Sequence, residues 1–244
     1  MENIILDYQT LDSSTRDAIK TLRTNIQFAS ISKEIKSIVI TSATPHEGKS
    51  TISCFLAMSM AEAGKKTLVV ESDFRHTTLR KRFKLAKTGG VVKYLSGEAT
   101  LDETIIETGF ENLYLLDAES RIPNPVEIID SEKYSELMAI LREKFDIVIY
   151  DTPPLISFID AALFAARADG TVMLAKPGNV EYKIFHKCLE QLQKANANVL
   201  GVVLNGAQKS HTGYNYYYGK YYKKYYSDGT SKKVRKKKKD EAGS

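Results

Sequence analysis

Two rhythms of apolar residues alternate along this chain. Ile19, Leu22, Ile26 and Ala29 recur every three or four positions, which predicts a helix over residues 14–30. Ser14 followed by Asp17 resembles the box that opens such a helix. A compact β-branched run over 37–41 then has the character of a buried parallel strand. It runs into a Pro/Gly turn, and a helix over 49–63 follows, closed by Gly64. The alternation repeats. Strand patterns fall at 66–72, 112–118, 146–154, 170–176 and 198–205, and helical patterns at 78–87, 131–145, 160–168 and 180–197. Strands alternating with helices predict an α/β fold, a parallel sheet flanked by helices on both faces. Apolar periodicity ends after Asn205, so the expected division is a folded domain over 1–206 and a disordered tail over 207–244.

Three segments carry candidate chemistry. "ATPHEGKST", residues 43–51, lies between a strand and a helix, which is the setting of a phosphate-binding P-loop. Turn amides around Glu47–Ser50 would face phosphate oxygens, and the helix N-terminus adds partial positive charge. Gly48 permits close approach. Lys49 would reach the β- and γ-phosphates, and Ser50 would ligate Mg²⁺. The loop departs from the usual pattern in starting with Ala43 rather than Gly and in carrying Pro45 and His46. "IVIYDTPP" delivers Asp151 at the carboxyl end of an apolar strand, where ligands of such sheets bind. "LVVESDFR" ends a second strand with Glu71 and Asp73, two residues apart and so able to face one metal–phosphate site. Taken singly, each has a plainer reading: a chance GKS turn or a solvated strand end. Together they fit phosphoryl transfer from Mg·ATP.

Composition changes the picture at the C-terminus. The net charge of +5 hides an asymmetry, because residues 209–244 hold eleven Lys/Arg against three Asp/Glu, leaving the body slightly acidic. The 14 tyrosines of the chain include eight between residues 214 and 226: Tyr214, Tyr216, Tyr217, Tyr218, Tyr221, Tyr222, Tyr225 and Tyr226. Residues 232–239 are a polybasic run. Cys54 and Cys188 stand far apart and read as buried, reduced thiols, and the four histidines have no metal-ligand spacing. The acidic start does not resemble a signal peptide. The longest apolar run, 52–61, is far short of the ~20 residues a bilayer requires.

The order of "TPHEGKST", "VVESDFR", "IPNPVEII", "DIVIYDTPP", "GVVLN" and a terminal tyrosine cluster resembles the bacterial tyrosine kinases of capsule and exopolysaccharide loci. The resemblance implies a P-loop kinase using ATP and Mg²⁺. It implies that Glu47, Gly48, Lys49, Ser50 and Thr51 bind nucleotide phosphates, and that Asn205 contacts adenine. Ser50, Asp73 and Asp151 would surround the metal. Lys49, Glu71, Asp73 and Asp151 would be the catalytic set. Glu71 stands where the family usually has Asp and would orient or deprotonate the phenol. "DAIKTLR" resembles an assembly motif on the first helix, implying ring formation through Asp17, Lys20 and Arg23. The family's "RRP" is altered here to "RHT". Further implications are a membrane-embedded activator tied to polysaccharide chain length, a cognate tyrosine phosphatase, and a cytoplasmic location at the inner face of the membrane.

The resemblance accounts for the tyrosines. A phenol of pKa ≈ 10 is a poor nucleophile at neutral pH and needs a base and a metal-bound phosphate. A flexible tail raises its local concentration. Each phosphate added brings about −1.5 to −2 charges against the basic tail. Two other readings compete: a partitioning or positioning ATPase of the same fold, and a nucleic-acid binder using the tail's aromatic and basic residues. The upstream nucleotide site makes nucleic acid the less favoured partner. The polybasic run is either a solvated charge run or an attachment to anionic lipid.

Overall fold

In the computed structural model of the chain, residues 8–31, 33–86, 90–118 and 122–207 are described. The tyrosine cluster 214–226, the polybasic run 232–239 and nearly all of the expected tail lie outside them. Among the described residues the strands are β1 (Ser37–Ser42), β2 (Thr67–Glu71), β3 (Ile105–Glu107), β4 (Leu113–Leu116), β5 (Ile147–Asp151), β6 (Gly170–Ala175) and β7 (Val199–Leu204). They form one sheet in the order β3-β4-β2-β5-β1-β6-β7. Every pairing is parallel except β3–β4, an antiparallel edge.

Side-chain alternation along the strands fills two cores. On one face Ile38, Ile40, Val69, Ile147 and Ile149 pack under α1 (Ser13–Ala29) and α2 (Lys49–Glu62). On the other, Val39, Leu68, Val70, Val148 and Tyr150 meet α7 (Glu132–Lys144), α8 (Asp160–Arg167) and α9 (Tyr182–Lys194). Strands covered on both sides read as continuous apolar runs, and β1, β2, β5 and β6 are buried at every position. Between the sheet and α1, helix α2 is buried over most of its circumference, from Ile52 to Ala61. Both cysteines are buried and unpaired.

Several expectations are corrected. The first helix begins at Ser13, capped by Asp12, whose carboxylate accepts from the Thr15 amide at 3.0 Å; the Ser14/Asp17 box is not used. The helix expected over 78–87 contracts to the single turn α3 (Leu79–Arg82), because Lys84 turns to φ 55°. Four elements had no periodicity long enough to read: α4 (Gly90–Ser96), α5 (Leu101–Thr104), the three-residue β3, and α6 (Pro125–Asp130). The sheet is therefore not wholly parallel. Gly64, at φ 80°, does follow the end of α2.

At the end of the sheet away from the strand carboxyl termini, Asp169 pins β6 to β1. Its Oδ2 accepts from the amides of Lys36 and Ser37, the Ser37 hydroxyl and Arg142 Nε, at 2.9–3.1 Å. Burial opposes the charge, but the Arg142 guanidinium and these donors hold the carboxyl below its ordinary value. Asp169→Ala is expected to cost about 2–3 kcal/mol at pH 7 in urea unfolding, since it strands buried donors. A carboxyl with a lowered folded value stabilises above its unfolded value, so the charge-dependent part of this cost should begin to shrink as pH falls below about 4 and be gone only below the lowered folded value.

Candidate functional site

The turn from β1 into α2 is held by side-chain struts. Ser42 Oγ donates to the Thr44 carbonyl at 2.7 Å. The buried Glu47 folds back, and its Oε1 accepts from the Thr44 amide at 3.1 Å and from the Thr44 hydroxyl. Asn179 Nδ2 donates to Thr44 Oγ1 at 3.0 Å and to the Pro45 carbonyl at 3.3 Å. Asn205, leaving β7, donates its amide to the Ala175 carbonyl and its Nδ2 to the Glu47 carbonyl at 2.9 Å. His46 takes φ 64°, a left-handed conformation that His tolerates better than most residues. Gly48 takes φ 96°, and a Cβ there would lie 2.2 Å from Asn205 Nδ2. Only glycine suits that position. The loop thus presents the first-turn amides of α2, a ready anion site.

Four charged groups gather at this turn. Lys49 is buried, and burial lowers its ammonium value against the pull of Asp151, Asp73 and Glu47. Asp151 ends β5, directly beside Glu71 at the end of β2 in the strand register. Burial raises Asp151 to about 6, opposed by Ser50, Lys49 and Ser53. Ser53 Oγ donates to Asp151 Oδ1 at 3.0 Å. Glu71 is pushed well above the carboxylate range by burial and then by Asp151. Its Oε2 accepts from the Thr78 and Leu79 amides, both at 2.7 Å, while Oε1 is buried without a hydrogen-bond partner. Asp73 lies just beyond the strand, its Oδ1 accepting from the amides of Arg75 at 3.2 Å and His76 at 3.0 Å. It acts electrostatically on Lys49, Glu71 and Asp151.

These residues suit a divalent cation. Two adjacent buried carboxylates stand side by side, Lys49 acts on Asp151 alone of the two, and Glu71 keeps an orphaned oxygen, so the pair is short of positive charge. Among the described residues no group of three or more His, Cys, Asp or Glu could hold a metal ion. A cation here would therefore depend on Ser50, one or two carboxylates, phosphate oxygens and water, the manner of Mg²⁺.

Lys49, Ser50, Glu71, Asp73 and Asp151 are thus placed around one turn. Some residues are positioned differently from expectation. The Glu47 side chain braces the loop by bonding back to Thr44. The Asn205 side chain rests on the P-loop. Thr51 Oγ1 accepts from Arg82 Nη1 at 3.2 Å. Glu71 is half committed to α3, a reach its extra methylene allows. On α1, Asp17 is exposed and Lys20 half-buried, whereas Arg23 Nη1 donates within the chain to the Ser59 carbonyl at 2.6 Å. Sequence reasoning missed Ser53, although its spacing of three from Ser50 sets both on one helix face. It also missed Asn179 and the Arg75–Asp160 pair, which no local signal marks.

Burying ionised Asp151 opposes folding. A carboxyl raised in the folded state costs stability above its folded value, and the cost disappears below its unfolded value. Metal-free Asp151→Asn is therefore expected to be more stable than wild type at pH 7.5, by on the order of 1–3 kcal/mol. The gap should close between about pH 6 and pH 4 in urea unfolding followed against pH.

Comparison with known proteins matches this geometry. A family model described as an AAA domain matches residues 35–199. The tyrosine-protein kinase CpsD of Streptococcus agalactiae is 36% identical over 221 residues, covering 87% of this chain and 96% of the relative. The crystal structure of the chimerical protein CapA2B2 superposes with a TM-score of 0.75 at 37% identity, over 78% of this chain and 84% of that one. The kinase domain of the Escherichia coli tyrosine kinase ETK gives 0.78 at 27% identity, over 88% and 85%. A P-loop, two acid-bearing strand ends and these identities over most of both chains make this protein a member of the bacterial tyrosine-protein kinase family.

Proposed function

We propose that the chain transfers the γ-phosphoryl group of ATP to tyrosines of its own cluster, Tyr214–Tyr226, and so regulates capsular or exopolysaccharide synthesis. The observation that carries this reading is the gathering of Lys49, Glu71, Asp73 and Asp151 at the N-terminus of α2. The amides of Glu47–Ser50 would cradle the phosphates, with Thr51 beside them. Lys49 would draw charge from the β- and γ-phosphates. Ser50, Asp73 and Asp151 would hold Mg²⁺, which when bound would supply positive charge against the charge developing on the phosphates. Glu71 Oε1 would accept the phenolic proton. The phenolic oxygen then bonds to Pγ, the bond from Pγ to the β–γ bridging oxygen breaks, and ADP departs. A raised carboxyl value makes Glu71 a stronger base once ionised, and the Thr78 and Leu79 amides favour that ionised form. Asn205, resting on the P-loop, would add contact with adenine.

The same reading places the protein in a homo-oligomeric ring through Asp17, Lys20 and Arg23, with each tail serving a neighbouring subunit. A membrane-embedded activator would recruit it to the inner face of the membrane, aided by the polybasic run, and a tyrosine phosphatase would reset it. Among the described residues no helix is long and apolar enough to cross a membrane. That is compatible with recruitment through a partner. The 36% identity to CpsD favours a kinase over a partitioning ATPase.

Incubation with Mg·ATP and the cytoplasmic segment of an activator is expected to yield phosphotyrosine within 214–226, read by mass spectrometry. Lys49→Met should lower it by at least ~10²-fold, the scale of losing one charge-stabilising group. Deleting 208–244 should remove the signal while leaving nucleotide binding intact. A wild-type chain that hydrolyses ATP under these conditions yet carries no phosphotyrosine would contradict the reading.

A further inference from the structure

The chain leaves β2 through the Asp73 turn and leaves β5 at Asp151, and one ion pair with a buried acid joins the first of these segments to the start of α8. Arg75 Nη2 meets Asp160 Oδ1 at 3.3 Å, and Asp160 is fully buried. The Arg75 guanidinium also lies over the Phe158 ring, 4.0 Å from its centroid. Removing one member of such a pair leaves an uncompensated buried charge, so the contact resists rearrangement.

Both ends of this contact lead back to the site. On one side, the Arg75 amide is bonded to Asp73 Oδ1, so anchoring Arg75 anchors the turn that aims the Asp73 carboxylate. On the other, the segment between Asp151 and Asp160 is pinned to the start of the P-loop. Leu155 N donates to the Ser42 carbonyl at 2.9 Å, and Ile156 N to the Ala43 carbonyl at 3.1 Å. Arg75, Phe158 and Asp160 therefore close a ring of contacts that includes the Asp73 turn, the segment after Asp151 and the base of the phosphate loop. Among the described residues no hydrogen bond or ion pair runs from any of the three to the phosphate-binding turn.

We infer that Arg75 and Asp160 are a positioning pair that fixes Asp73 relative to Asp151 and so sets the affinity of the site for its divalent cation. This rests on the reading of the site given above. Outer groups that orient metal ligands typically change metal affinity 10–100-fold when altered. Lysine in place of Arg75 can neither stack on Phe158 nor present a planar fork, so even that charge-conserving change should be felt.

The test uses the full chain with ADP, Mn²⁺ serving as the spectroscopic probe for the cation. Free Mn²⁺ is measured by electron paramagnetic resonance, and ADP affinity in EDTA by calorimetry. Asp160→Asn and Arg75→Lys should each raise the Mn²⁺ Kd of the ADP complex by about tenfold, with metal-free ADP binding unchanged. The double variant should lose no more than the worse single one, as expected for groups acting as one unit. An unchanged Mn²⁺ Kd in folded variants overturns the inference, and so does an equal loss of metal-free ADP binding, which would mark a general structural role. If Asp160→Asn does not fold, Arg75→Lys decides alone, since Arg75 is partly exposed and keeps its charge. A wild-type chain whose ADP binding ignores Mn²⁺ would instead remove the metal-site reading, and the positioning role with it.

Discussion

Two carboxyl groups, Glu71 and Asp151, are buried next to each other at the ends of adjacent parallel strands, and most features of the site follow from that cost. Burial alone would favour their neutral forms. Lys49 and Ser53 partly offset the charge of Asp151, and the amides of Thr78 and Leu79 offset that of Glu71. What remains is an orphaned carboxyl oxygen and a shortage of positive charge. A sheet with fully buried central strands supplies the dry surroundings that make this costly. The same surroundings would make a bound cation and a triphosphate correspondingly strong partners.

The phosphate loop reaches its conformation by an unusual balance of glycine and struts. Gly48 is required because its left-handed backbone lies against Asn205. Elsewhere, side chains do the work: Glu47 bonds back to Thr44, and Asn179 and Asn205 brace the loop from segments that follow β6 and β7. Pro45 and His46 fit because the braces define the loop around them. The site is thus supported from both directions across the sheet, from β2 through Glu71 and Asp73, and from β6 and β7 through the two asparagines.

Much of this was legible in the sequence where a pattern was long or a motif local. The central strands announced themselves as unbroken apolar runs, and GKST, ESD and YDTPP each carried their own context. Short elements did not. A three-residue edge strand and helices of one or two turns offer no period to read, so β3, its antiparallel pairing with β4, and α6 were unseen. The failure at 78–87 has another cause: Glu71 and Lys84 end that helix from either side, one by capping its start and one by its left-handed turn. Contacts between distant residues were invisible in principle, as with Asn179 on Thr44 or Arg75 on Asp160, 85 positions apart. Glu71 is the instructive case. Its place in the motif was readable, but the use of its extra methylene, reaching the α3 amides, needed the fold.

The central claim is that burial leaves the Glu71–Asp151 pair partly protonated near pH 6, and that a cation and nucleotide expel that protonation. Calorimetry of Mg·ADP binding at pH 6, repeated in buffers of different ionisation enthalpy, reads that directly, because metal binding expels protons from its ligands. Net proton release is the expected result, since burial raises Asp151 to about 6 and pushes Glu71 upward as well. Binding with no net proton release would show that the acids were already ionised, and would contradict the account.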